Sequence, residues 1–374
     1  MKMKMSGFKF KHALVLIAFL PLGMTAGPGK EFTKTVVKEF DITRDGTVGV
    51  ANKYGSIDVR TWDASRVKIE VTIKADARNQ ETANEVFNRI SVTFDNSPSV
   101  VRAKTEIEST AGWKSWFNWG SDDDRFEINY VVHLPATVVL ELENKYGDIY
   151  VADMQNRAMV TLKYGDMKLG NIAGNANITM GYADGTIQST KDLTLNLSYS
   201  DLFMGKAGNV SFTGKYSDLS GETFGDVNAT TGYVDVKVKK IGRLTNTGKY
   251  DDFVIDDLAS LSVTSKYSSF NVANLREYGR LEMSYGSVNI DHVYPGFSSI
   301  EINSSYTDVA IDVDDSATFT LDATTRYCGV KHSGMEIYYD IDKSAERVVK
   351  GYRGSRDASS RIIAVMNYGG LSVR

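Results

Sequence analysis

Thirteen tyrosines recur at a nearly constant step, and no other feature of the chain limits its fold as much. They are Tyr54, Tyr146, Tyr164, Tyr182, Tyr199, Tyr216, Tyr233, Tyr250, Tyr267, Tyr285, Tyr306, Tyr327 and Tyr368. From Tyr146 to Tyr285 every step is 17 or 18 residues; two steps of 21 reach Tyr327, and Tyr368 lies 41 further on. A unit of this length cannot bury an apolar face alone. Units must stack, each covering the next, at the spacing of paired strands, roughly 4.8 Å.

Within a unit the apolar period is two, which marks strands. In VTLKYGDMKL, Val160, Leu162 and Tyr164 share a phase, Gly165-Asp166 reads as a turn, and Met167 and Leu169 resume the inward phase. This phase predicts tyrosine rings turned inward, stacked as a structural column along one corner. The small residue after each tyrosine suits a tight turn. An aspartate two positions on, able to bond turn amides, occurs at Asp148, Asp166, Asp184, Asp201, Asp218, Asp235, Asp252 and Asp308. The expected fold class is all-β: a β-solenoid of 17–18-residue rungs over 144–374, with an irregular insertion at 333–361.

Residues 27–143 break the rhythm. One early motif, NKYGSIDV, is followed by the alternating strand RVKIEVTIKA, a short helix from Glu81 to Ile90 with Ala83, Phe87 and Ile90 on one face, and further strands. This predicts an N-terminal antiparallel β-domain with one helix, capping the first rung. Its segment 112–124 holds Trp113, Trp116, Phe117 and Trp119 between glycines and acids. We read it as a loop and as the candidate recognition site, because loops on rigid scaffolds carry recognition and clustered indoles are hard to hide.

The first 26 residues read as a secretory signal peptide: four lysines, a short apolar run from Ala13 to Leu20, then small residues. Without them the chain carries 39 basic and 47 acidic residues, a balance with no general attraction for nucleic acid. No later apolar run has membrane length. The lone Cys328 excludes an internal disulfide, which fits a bacterial envelope protein.

Taken together, the exported start, the NKYGSIDV motif, the RVKIEVTIKA strand–helix–strand insertion and the run of YGD-like rungs resemble the bacterial putative-adhesin β-strand-repeat family, in Bacteroidota-like form. The resemblance covers nearly the whole mature chain. It implies a β-solenoid architecture and supplies no catalytic residues.

No histidine, cysteine or glycine-rich motif has catalytic or metal-ligand spacing, so no catalytic residue, metal or cofactor is expected. Cys328 stands at the small-residue position after Tyr327 and reads as a rung residue. The aspartate column lacks the extra acid and glycines of calcium-binding repeats. The expected function is a non-enzymatic structural or adhesin-like surface, with an unknown protein or glycan as partner, in the periplasm or at the surface of a Gram-negative cell. The alternative is a polysaccharide-binding module using aromatic side chains; a solenoid polysaccharide-degrading enzyme is a distant third. Inward tyrosines would favour the first, exposed ones the second.

Overall fold

The computed structural model describes residues 30–108 and 125–374. The first 26 residues, read as a signal peptide, and the segment 112–124 read as a recognition loop, with Trp113, Trp116, Phe117 and Trp119, lie outside them. The chain divides into two compact units, 1–165 and 166–374. The fold is all-β and solenoid-like, with one helix among the described residues.

The first unit holds β1 (Lys30–Asp41), β2 (Thr47–Lys53), β3 (Ile57–Trp62), β4 (Arg66–Ala77), α1 (Gln80–Arg89), β5 (Ile90–Ser97), β6 (Val100–Ile107), β7 (Arg125–Pro135), β8 (Val139–Lys145) and β9 (Ile149–Val151). The division falls within β10 (Ala158–Ile172). β1, β4 and β7 form an antiparallel sheet. α1 is capped by the Asn79 side chain, which accepts from the Thr82 amide, and buries Ala83, Val86 and Phe87. The Tyr54 rung, β2 and β3, pairs in parallel with β8 and β9 of the Tyr146 rung. Its other side is paired by β6 and β7. The 92-residue gap in the tyrosine series is therefore an insertion that leaves consecutive rungs in contact and covers the free edge of the first.

The second unit contains β11 (Ala176–Thr190), β12 (Leu193–Ser198), β13 (Asp201–Ala207), β14 (Val210–Phe224), β15 (Val227–Lys249), β16 (Asp252–Lys266), β17 (Ser269–Val293), β18 (Ser299–Val313), β19 (Phe319–His332), β20 (Glu336–Lys343), β21 (Glu346–Arg353) and β22 (Ser360–Val373). Parallel pairing carries each rung onto the next in register, as in Ser211↔Asn228 and Asp218↔Asp235, with shifts between Leu258 and Ser260 and between Ile290 and Val293. Inward residues such as Leu195, Phe212, Val263, Phe253 and Phe270 form continuous buried rows. Phe253 and Phe270 stack with centroids 4.7 Å apart.

Spatial order departs from chain order at the C-terminal end. β22 lies between β18 and β19, pairing in parallel with both. The 333–361 segment forms the β20–β21 hairpin, and β21 pairs antiparallel with β19.

Candidate functional site

The rung corner is made by the tyrosine itself. All thirteen motif tyrosines have left-handed backbone angles, φ between 51° and 66°. A left-handed residue interrupts strand alternation, so two consecutive side chains point outward. In the Tyr216 rung, Lys215 and Tyr216 are both exposed, Ser217 is buried, Asp218 is exposed and Leu219 is buried. This corrects the inward placement expected from the apolar phase. Eleven of the thirteen rings are 41–59% exposed, whereas Tyr130, outside the series, is completely buried. The turn lies at the tyrosine and not at the Gly-Asp pair after it.

A left-handed L-residue costs about 1–2 kcal/mol. The rings offset it. Tyr54, Tyr146 and Tyr164 stack at 5.1 and 5.0 Å in the first unit. In the second, an unbroken column runs from Tyr182 through Tyr199, Tyr216, Tyr233, Tyr250, Tyr267, Tyr285, Tyr306 and Tyr368 to Tyr327, with centroid steps of 4.6–5.0 Å and planes within 13°. An aromatic pair of this kind contributes about 0.5–1.5 kcal/mol, comparable to the backbone cost. The tyrosine amides hold the register: Tyr199 N donates to Lys215 O at 3.0 Å and Tyr250 N to Lys266 O at 3.0 Å.

Two arrangements recur at the position after the tyrosine. In some rungs glycine stands there with positive φ, as at Gly147 and Gly369, where a Cβ would sit 2.2 Å from a carbonyl oxygen of the adjacent rung. In others a side chain points inward and replaces a backbone bond. Ser200 Oγ accepts from Ala183 N, Ser217 Oγ from Ser200 N, and Ser268 Oγ from Asp251 N. The hydroxyls of Ser200, Ser217, Ser268 and Thr307 each donate to the carbonyl two residues back. Cys328 makes the same contact, its Sγ donating to Arg326 O at 3.3 Å, and burial raises its thiol pKa. It is placed as a rung residue.

Asp251 occupies this inward position with a carboxylate. Its oxygens accept from Val234 N at 3.1 Å and Thr231 Oγ1 at 2.8 Å, and Asn246 Nδ2 donates to the same hydroxyl. Burial pushes its pKa up to about 6, against those hydrogen bonds. Asn52 and Asn144 are buried at the NKYG corners, where their amides donate to Ile128 O and Gly55 O. Sequence reading missed all three. An acid inside an otherwise serine-bearing column, and an asparagine repeated two places before tyrosine, were the available signals.

Outside the column, the exposed surface is a ribbon of tyrosine edges and hydroxyls bordered by two charged rows. On one side stand Lys53, Lys145 and Lys163 in the first unit, where Lys145 Nζ lies 4.8 Å from the Tyr146 ring centre, and Lys215, Lys249 and Lys266 in the second. On the other stand the aspartates. Among the described residues, Asp184, Asp201, Asp218, Asp235, Asp252 and Asp308 make no hydrogen bond to the turn amides and no ion pair, in contrast to the expected turn-bonding role. They face solvent as a like-charged row. Desolvation, then the charges of Asp201 and Asp235, raise the Asp218 pKa. From Tyr199 onward no ladder hydroxyl has a partner among the described residues. The ring faces are occupied by neighbouring rings, so sugars cannot stack on them except at an end. At the C-terminal end Tyr327 is the most exposed ring of the ladder, at 59%, beside the β20–β21 turn, where Tyr327 N donates to Ala345 O at 2.8 Å and Arg326 pairs with Glu346 at 3.3 Å.

Among the described residues no group of three or more His, Cys, Asp or Glu is placed to hold a metal ion. His133 packs on Trp62, and His292 lies 3.5 Å from Asp314. No described helix is long and apolar enough to cross a membrane.

No family model and no curated protein matches the chain. Solved structures similar to it include a "putative cell adhesion protein" from Clostridium sporogenes, at 9% identity and TM-score 0.21, covering 92% of this chain and 98% of that one. A "putative adhesin" from Parabacteroides distasonis has 9% identity and TM-score 0.26, covering 90% and 97%. A "putative lipid binding protein" from the same organism has 9% identity and TM-score 0.22, covering 91% and 96%. Scores this low say nothing of the activity of this chain.

Proposed function

We propose that this chain is an exported, non-enzymatic, adhesin-like scaffold of the bacterial cell envelope, and that the tyrosine ribbon with its lysine border is a binding surface. The observation that carries the reading is the exposure of Tyr182–Tyr327 as one stacked column at positions where the backbone pays for each ring. A contiguous exposed aromatic strip on a rigid sheet is suited to a partner surface. The partner is met by ring edges, hydroxyls and ammonium groups, because the ring faces are used within the ladder. The Trp113–Trp119 loop remains a second recognition segment, on its sequence alone.

The test is attachment of beads coated with the full chain to cultured cells and to extracellular-matrix surfaces. Lys215→Glu with Lys249→Glu reverses the border and leaves the stack intact. We expect several-fold weaker attachment with unchanged melting. Attachment unaffected by the double variant would reject the ribbon, and no attachment by the unaltered chain would reject the adhesin-like role.

A further inference from the structure

Beside the ribbon, on the strand that precedes each tyrosine, lies a second surface of different chemistry. Three and five residues before Tyr182, Tyr199, Tyr216, Tyr233, Tyr250 and Tyr267 the side chains point outward. They are Asn177 and Thr179, Thr194 and Asn196, Ser211 and Thr213, Asn228 and Thr230, Thr245 and Thr247, and Ser262 and Thr264. All twelve are exposed or half-exposed. Every one is Thr, Ser or Asn. Adjacent rungs hold them in register, Asn177↔Thr194↔Ser211↔Asn228 and Thr245↔Ser262. Parallel pairing makes a grid of roughly 4.8 Å between rungs and about 6.6 Å along each strand.

Two observations separate this grid from an ordinary wet strand face. The first is charge. In the same six rungs the flanking positions carry Lys215, Lys249 and Lys266 before the tyrosine and Asp184, Asp201, Asp218, Asp235 and Asp252 after it, in a chain that is 24% charged; the twelve grid positions carry none. The second is hydrogen bonding. One corner away, outward polar side chains serve the stack: Asp192 Oδ1 accepts from Asn209 N at 2.9 Å and Asp226 Oδ1 from Arg243 N at 3.1 Å. None of the twelve grid side chains bonds to another described residue. Their donors and acceptors are all available.

We infer that this grid is a docking surface for a neutral polysaccharide. The inference goes beyond the binding role proposed above and concerns a separate surface. Hydroxyls and carboxamides both donate and accept, as sugar hydroxyls do, so an uncharged glycan chain laid along the stack finds a partner at each rung. An ionic ligand would lose hydration and meet no opposite charge. An apolar one would leave hydroxyls and amides unsatisfied. A protein partner would lack the tryptophan, tyrosine and arginine anchors on which such interfaces depend.

The experiment is depletion of the full chain from solution by suspended cellulose and, in parallel, by insoluble β-1,3-glucan particles. Thr213→Val, Thr230→Val and Thr247→Val together remove three hydroxyls and keep the strand-favouring shape. Thr213→Lys, Thr230→Lys and Thr247→Lys together add charge to the grid. Asp218→Lys with Asp235→Lys adds charge on the neighbouring face as a control. We expect depletion by at least one of the two glucans, weakened about tenfold or more by either triple variant and by less than about twofold in the control. Absence of depletion by both glucans, or triple variants within about twofold of the unaltered chain, would overturn the inference. Loss of glucan binding alone, with bead attachment retained, would leave the adhesin-like reading standing. The reverse pattern would remove that reading and keep this one.

Discussion

Tyr216 and Tyr233 lie ring on ring, centroids 4.8 Å apart and planes 12° from parallel, and both hold left-handed backbone angles. The strained hinge and the stacked ring belong to the same residue. One rung's hinge is therefore supported by the hinges above and below it, and the stack, more than any single rung, is the stable unit.

The buried carboxylate makes stability depend on pH. Asp251 titrates near 6 in the folded chain and near 3.8 when unfolded. Between those values the folded state binds more protons, so stability falls as pH rises from about 4 to about 6 and is flat above. The loss reaches at most about 3 kcal/mol. Asp251→Ser installs the side chain that Ser200, Ser217 and Ser268 already use. Urea melts across pH 4–8 should show a raised midpoint for this variant above pH 6 and a flattened profile. A profile identical to that of the unaltered chain would show that Asp251 is not the titrating group.

Two glycines two or fewer positions from a tyrosine should behave oppositely. Gly369 follows Tyr368, has φ of 137°, and its Cβ would meet Thr307 O at 2.2 Å; Gly232 precedes Tyr233 and its Cβ would meet nothing within 4 Å. Gly369→Ala should cost about 2 kcal/mol or more. Gly232→Ala should be within about 0.5 kcal/mol of neutral or slightly stabilising. Similar midpoints for the two variants in chemical denaturation would contradict the corner geometry.

The rung length, the strand character and the column were legible because a 17-residue tyrosine step admits few architectures. The direction of the rings was not. Leu162 and Met167 both point inward yet stand five apart, an odd number that strict alternation forbids, so one residue between them must break the phase. Assigning the break to Gly165-Asp166 left Tyr164 inward; assigning it to Tyr164 turns it out. Propensity favoured the first, since bulky residues rarely take positive φ, and the compensating stack is visible only once the rungs are assembled. The insertion of β22 between β18 and β19 was illegible for a related reason. Long-range parallel pairing leaves no local mark, and Tyr368 falls between Tyr306 and Tyr327 in space although it follows both in sequence. Asp251, Asn52 and Asn144 each bond a partner 17 or more residues away, so the unusual residue at each corner was visible in the sequence but its partner across the stack was not.

The most direct measurement is the stability order of three substitutions at Tyr216, read by urea unfolding of the full chain. Phe keeps the stack and removes a hydroxyl that has no protein partner, so Tyr216→Phe should lie within about 0.5 kcal/mol of the unaltered chain. Tyr216→Ala keeps the strained backbone and loses two stacked neighbours, costing about 1–3 kcal/mol. Tyr216→Gly loses the same contacts but relieves the left-handed strain, and should be less damaging than alanine. The account predicts the order Phe, Gly, Ala from most to least stable; glycine equal to or worse than alanine, with both costing more than about 3 kcal/mol, would mean that the ring is buried core and that the tyrosine is not the hinge.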